Sequence, residues 1–266
     1  MEEASDRMTD NAILRRIGRD QVALGLIVRM VRSGEIARLA RATDHDFLFI
    51  DGQHAAFSRE TVAGLIAAAL GCGVAPLVRL RGWDDPDASL FLDAGAAGVI
   101  VPDLSDAGQA RAVVRACRFP PRGARSLPGP LVHDDFRPVS ADAAMRRADA
   151  ATVVVGMIET PEGLANVEEI AAVDGLDVLH VGCVDLLLAM GKPDRHGCPE
   201  ILDAIAKVAA AARRHGKILG VGGDRDPARR ARYIREGARF MTTETDIGLL
   251  LKAAGAAVEQ IRAMPV

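Results

Sequence analysis

Aromatic residues are scarce, only 3% of the chain with one Trp and one Tyr, so Ala, Val, Leu and Gly must fill the core. A hydrophobic content of 49% makes that core large. The four cysteines, Cys72, Cys117, Cys183 and Cys198, form no CxxC pair and no metal-ligand spacing, which suits a reducing, cytoplasmic setting. No basic stripe is present: the formal charge is −3 and Lys and Arg are scattered, which argues against nucleic acid as a partner. No apolar stretch reaches a membrane span before Gly or a charge interrupts it. The first twenty residues are polar and lack the apolar segment of a signal peptide. No GxGxxG follows an early strand, which weakens a doubly wound dinucleotide fold.

What the sequence does hold is a regular alternation. At 266 residues it has the size of one (β/α)8 barrel or of two small domains. Short apolar runs predict strands at 22–28, 46–51, 76–80, 97–102, 153–158, 177–182, 217–222 and 239–244. Helical segments separate them. Ser33, Ser58, Asp85-Pro86, Ser105 and Asp226-Pro227 are expected to start helices, and further helices fit Asn11–Arg19, Pro199–His215 and about Ile247–Ala263. Eight strands alternating with helices predict a parallel sheet closed as a TIM barrel, with an open doubly wound sheet as the alternative. Residues 1–20 read as a variable lead-in and 21–266 as one barrel domain. Residues 119–151, rich in Pro, Arg and Gly, are a long insertion after strand four; on the C-terminal side of a barrel such a loop is usually functional or an interface.

The stretch 153–191 organises the rest: strand, acid, short helix, strand, acid. Glu159 closes the first strand and Asp185 follows the second. If the strands are parallel neighbours, both acids emerge on one rim, where two hard oxygen ligands could hold a divalent cation with positions left for substrate. The plainer reading makes Glu159 a cap of the next helix and Asp185 an N-cap. Asp51, Gln53 and His54 follow strand two, Arg79 ends strand three and Asp103 follows strand four. Each has an ordinary explanation: a loop histidine, an N-cap, an Arg79–Asp103 ion pair. Their convergence on one rim favours chemistry.

Seven segments, in order, carry a resemblance. They are IDGQHA (50–55), LVRLRGWDDP (77–86), FLDAGAAGVIVP (91–102), PPRGARS (120–126), MIETPEGLANVEEIAAVDGLDVLHVG (157–182), VDLLLAMG (184–191) and GARFMTTETDIGLL (237–250). Together they resemble the metal-dependent class II pyruvate aldolases of the HpcH/HpaI family, such as 4-hydroxy-2-oxo-heptanedioate aldolase and 2-keto-3-deoxy-sugar-acid aldolases. The resemblance implies Mg2+, Mn2+ or Co2+ held by Glu159 and Asp185, and a 2-oxo acid chelated through its carboxylate and keto oxygens. Gly182 and the backbone amides near Val184 and Asp185 would receive the substrate carboxylate. Arg79 would bind the keto or enolate oxygen as a fixed cationic donor. His54 would move the aldol proton, aided by Asp93 from a neighbouring subunit, and Asp51 would orient it. The partners implied are a small 2-oxo acid, an aldehyde and further copies of the chain in a trimer or hexamer. No lysine falls on the predicted rim near these acids, consistent with chemistry that needs no Schiff base.

The departures cluster around the expected pocket. Gln53 stands where the family's DGEHA has a carboxylate, Met157 where a Gln is usual, and Cys183, Val184 and Leu187 interrupt the usual GPADLS. They make the pocket more apolar and leave the metal pair, Arg79 and His54 intact. Three readings follow: an aldolase releasing pyruvate, a decarboxylase or synthase using the same enolate, and a non-catalytic metabolite-binding barrel.

Overall fold

The computed structural model describes residues 11–265. Eight strands, β1 (Ala23–Val28), β2 (Phe47–Asp51), β3 (Ala75–Arg79), β4 (Gly98–Val101), β5 (Val153–Ile158), β6 (Val178–Gly182), β7 (Ile218–Gly222) and β8 (Ala238–Thr245), pair in chain order. All are parallel, and β8 closes on β1. Strands buried on both faces read as continuous apolar runs, and β5 (VVVGMI) is buried at every position. This is the predicted barrel, with each strand within two residues of its expected bounds. The register sets Asp51 opposite Arg79, Met157 opposite His180, and Gly182 opposite Gly222.

Helices α1 (Ala12–Gly18), α2 (Glu35–Ala42), α3 (Arg59–Gly71), α4 (Ala88–Asp93), α5 (Ala107–Cys117) and α6 (Ala141–Ala151) come first. They are followed by α7 (Pro161–Ala165), α8 (Val167–Ala171), α9 (Cys183–Ala189), α10 (Pro199–Arg214), α11 (Pro227–Arg235) and α12 (Asp246–Arg262). Ser58 and Asp226 cap α3 and α11 as expected. Three expected starts move by one or two residues. Gly34 rather than Ser33 precedes α2, Asp87 rather than Asp85 precedes α4, and Asp106 rather than Ser105 caps α5. Asp85 instead accepts from the Arg81 and Asp87 N–H groups, and the Ser105 N–H is taken by the Gln109 side chain. Runs of polar residues offer several capping oxygens, and backbone geometry selects among them.

The N-terminal end of the barrel is closed. Ile13 of α1 is fully buried in one cluster with Phe47 and Phe240, whose rings stack at 4.5 Å. Burying such a side chain stabilises by about 1.5–3 kcal/mol. Asn11 ties the same end by donating to the Ala151 carbonyl at 2.8 Å.

The insertion belongs to this closed end and not to the rim above the strands. It leaves from the end of α5, by which point the chain has run back down the barrel, and it leads into the first residue of β5. Arg118 pins it: the buried guanidinium donates to the carbonyls of Asp149, Thr152 and Gly175 and pairs with Asp177. Arg125 lies over the Phe119 ring and pairs with Asp93 at 2.7 Å.

α12 stands apart. It exposes Leu250, Leu251, Val258 and Ile261, and only Asp246 along it is buried. No helix among the described residues is long and apolar enough to cross a membrane.

Candidate active site

The carboxyl ends of β2 and β3 build the first half of the rim. Asp51 is fully buried and takes a two-pronged ion pair from Arg79, with Nε at 3.0 Å and Nη2 at 2.6 Å. It also accepts the backbone N–H groups of Gln53 and His54, each at 3.0 Å, and Arg29 Nε lies 3.3 Å away. Burial pushes the Asp51 carboxyl up, but the Arg79 hydrogen bonds and charge, with the two N–H donors, hold it below the ordinary value. Arg79 itself is buried above the Phe49 ring. The expected Arg79–Asp103 pair does not form, because the strand register places Asp51 directly opposite. The expectation that the Arg79 fork faces substrate also changes: two of its nitrogens are committed to Asp51, which leaves Nη1. Asp51 orients the loop that carries His54 through its backbone N–H, not through the imidazole.

The ends of β5 and β6 build the second half. Glu159 is 2% exposed. Its Oε1 accepts the Asp103 N–H at 3.0 Å, and its Oε2 has no partner among the described residues. Asp103 aims that N–H from a left-handed backbone conformation (φ 52°), which Asp tolerates better than most residues. Burial pushes the Glu159 carboxyl up to about 7; the Asp103 N–H opposes this, the charges of Asp103 and Asp185 add to it, and Arg79 opposes it. Glu159 does not cap a helix, since Thr160 caps α7. Asp185 lies inside the first turn of α9 rather than at its N-cap. A Cβ on Gly182 would stand 2.3 Å from Glu159 Oε2, so only glycine leaves the carboxylate its place.

Between the halves opens a cavity of about 320 Å3. Asp51, His54, Arg79, Gly182, Val184 and Asp185 all line it. His54 is exposed at its mouth. Asp93 does not reach it: at the C-terminal end of α4 it sits at the closed end, bound to Arg125. Met157 and Phe49 supply apolar wall, as the Met157 departure suggested. Sequence reasoning missed His180, Thr242, Arg29 and Arg225, which also line it. His180 had a readable signal, since it alternates with Gly182 on β6 and must therefore share its inward face. A second cavity of about 410 Å3, at the start of α10, contains none of the predicted residues.

Among the described residues no cluster of three or more His, Cys, Asp or Glu forms a closed metal cage. Glu159 and Asp185 are two carboxylates, one with an orphaned buried oxygen. That donor set fits a hard divalent cation whose other positions stay open.

Comparison with known proteins agrees with this geometry. The HpcH/HpaI aldolase/citrate lyase family pattern matches residues 31–253. A 4-hydroxy-4-methyl-2-oxoglutarate aldolase of Chaetomium globosum is 35% identical, over 92% of each chain. A hydroxypyruvate/pyruvate aldolase of Delftia acidovorans is 34% identical, over 85% of this chain and 84% of that one. The crystal structure of an HpcH/HpaI aldolase from Desulfitobacterium hafniense superposes with a TM-score of 0.89 at 25% identity, covering 94% of this chain and 96% of that one. The chain belongs to the HpcH/HpaI aldolase/citrate lyase family and is a carbon–carbon lyase on that family's (β/α)8 barrel.

Proposed function

We propose that the protein is a metal-dependent aldolase that cleaves a 4-hydroxy-2-oxo acid to pyruvate, or a related 2-oxo acid, and an aldehyde. The observation that carries this reading is the unpartnered, buried Oε2 of Glu159, seated against Gly182 and near Asp185. A buried carboxylate oxygen left without a donor is costly unless a ligand completes it. Glu159 and Asp185 would hold Mg2+, Mn2+ or Co2+. When bound, such an ion supplies Lewis-acid stabilisation of the charge that develops on the substrate keto oxygen.

The chain's own residues supply the rest. The N–H groups of Val184 and Asp185, in the first turn of α9, have no intrahelical acceptor and receive the substrate's C1 carboxylate. Arg79 Nη1 donates to the keto oxygen while Asp51 fixes the guanidinium plane. His54 takes the C4 hydroxyl proton as the C3–C4 bond breaks. The electron pair of that bond forms the C2–C3 double bond of the enolate, the aldehyde leaves, and a proton delivered to C3 gives pyruvate. The protein works in the cytoplasm as a trimer or hexamer, with the exposed apolar side chains of α12 as a surface for a second copy.

The test is pyruvate release from a panel of 4-hydroxy-2-oxo acids by the purified protein with Mg2+, Mn2+ or Co2+. Pyruvate is expected, and a chelator should stop it. Release of CO2 alone would replace this reading with a decarboxylase, and activity indifferent to chelation would remove the metal from it. In His54→Ala, cleavage should fall about 10²–10⁴-fold, much more than exchange of pyruvate methyl protons, which needs no C4 hydroxyl. Equal losses in the two assays would take the proton-transfer role from His54.

A further inference from the structure

Asp103 is an acid without a cation. It follows the end of β4, it is exposed, and no arginine or lysine among the described residues pairs with it. Two hydrogen bonds run through it. Its N–H donates to Glu159 Oε1 at 3.0 Å, and its Oδ2 accepts from Gln53 Nε2 at 3.5 Å. The turn itself is held by other atoms: Ser105 Oγ donates to the Asp103 carbonyl at 3.0 Å. The carboxylate is therefore free of a structural duty in the turn.

Its charge falls on the metal pair. Burial is the largest influence on the Glu159 carboxyl and the Asp103 N–H is the next, and among the charges Asp103 ranks before Asp185. Three acids thus converge at the ends of β4, β5 and β6. Arg79 is the cation whose charge reaches Glu159, and two nitrogens of its fork are already bound to Asp51. Like charges so close repel unless a cation arrives among them. Glu159, 2% exposed with an unpartnered Oε2, points to that cation independently. Among the described residues the acids do not form a three-membered cage, so Asp103 stands outside the direct ligands. A hard cation held by two carboxylates keeps waters, and an outer acid accepts from one of them.

Gln53 fits the same arrangement. Its Oε1 is buried without a partner among the described residues, while its amide nitrogen faces Asp103. A glutamate at 53, as in the family's DGEHA, would turn a carboxylate oxygen toward Asp103 Oδ2 in place of that N–H. The amide removes this repulsion and donates instead. The neutral residue at 53 and the acid at 103 belong together.

We propose that Asp103 is a positioning residue of the metal site, which accepts from a water in the shell of the cation held by Glu159 and Asp185 and supplies the negative charge that Gln53 does not. The proposal rests on the metal-dependent reading above and gives a task to a side chain which that reading leaves idle.

The experiment is a calorimetric titration of the metal-stripped full chain with Mn2+, in the absence of substrate. Asp103→Asn keeps a residue that tolerates the left-handed turn, keeps the N–H to Glu159, and removes the charge. Its Kd for Mn2+ should rise about 10–100-fold, as when an outer partner of a metal ligand is lost. Gln53→Glu combined with Asp103→Asn moves the acid to the neighbouring loop and should bring Kd back to within about threefold of wild type, which a merely structural Asp103 would not allow. An unchanged Kd in Asp103→Asn would overturn the proposal, and so would a weakened one that Gln53→Glu fails to restore. A metal-free thermal midpoint lower in Asp103→Asn than in wild type would return Asp103 to a structural role. If the wild type itself bound no Mn2+, the metal-dependent reading would fall, and the role of Asp103 with it.

Discussion

Asp51 and Glu159 are buried carboxylates on the same rim, and their surroundings are opposite. Asp51 is saturated, with the two-pronged Arg79, two backbone N–H groups and Arg29 nearby. Glu159 has one N–H and an empty oxygen. Burial raises both, yet Asp51 ends below its ordinary pKa and Glu159 rises to about 7. Burial is the largest influence on both, so the opposite outcomes trace to the donors around Asp51. One carboxylate is spent on architecture, and the other is kept for a ligand from outside.

Four substitutions probe that contrast. The largest effect should come from Glu159→Ala, which removes the open carboxylate: activity should fall to background and bound metal should vanish, while circular dichroism keeps the barrel signature. A variant with wild-type metal stoichiometry would erase the contrast. Arg79→Lys keeps the charge and loses the planar fork. Turnover should drop about 10²-fold, as for loss of one oxyanion donor, and the thermal midpoint should fall too, because Asp51 loses one of its two prongs. A rate change with no stability change would assign Arg79 to substrate alone.

Asp51→Asn leaves the Arg79 charge buried and unpaired. Breaking a buried pair this way costs about 3–5 kcal/mol, read as a lowered denaturant midpoint both with and without metal. Glu159→Gln should behave in the reverse sense. The ordinary Glu value is 4.5 and the folded value about 7, so folding binds a proton between them. The stability of the metal-free protein is therefore fullest below pH 4.5 and is lost as pH rises through about 7. By pH 8 the loss is on the order of 3 kcal/mol. Glu159→Gln should remove most of that slope and melt higher than wild type at pH 8 without metal. A stability curve with the same slope in both proteins would contradict the raised pKa. The same proton competes with the cation, so metal affinity should weaken from pH 8 to pH 6, which a calorimetric titration would measure.

The barrel was legible because strands of a parallel sheet are buried on both faces and announce themselves as apolar runs. The rim acids were legible because they follow those runs. Pairing was not. Asp51 and Arg79 are 28 residues apart and meet through register, and nothing in either segment said that the fork of Arg79 was already taken. Sequence order alone puts the insertion on the rim, because it follows strand four. The eleven residues of α5 carry the chain back to the other end before it begins. His180 looked like one more residue in an apolar strand. The room for its ring depends on two glycines of a different strand, about forty residues on.

Gly182 and Glu159 form a linked pair in inheritance as well as in space. Any side chain at 182 would collide with Glu159 Oε2. A lineage that acquires alanine there must displace, shorten or lose the acid at 159, and glycine is what keeps the carboxylate where it stands. The two codons lie 23 positions apart and are expected to change together or not at all. Descendants of this barrel that have lost the acid at 159 are therefore free to carry a bulkier residue at the end of the sixth strand.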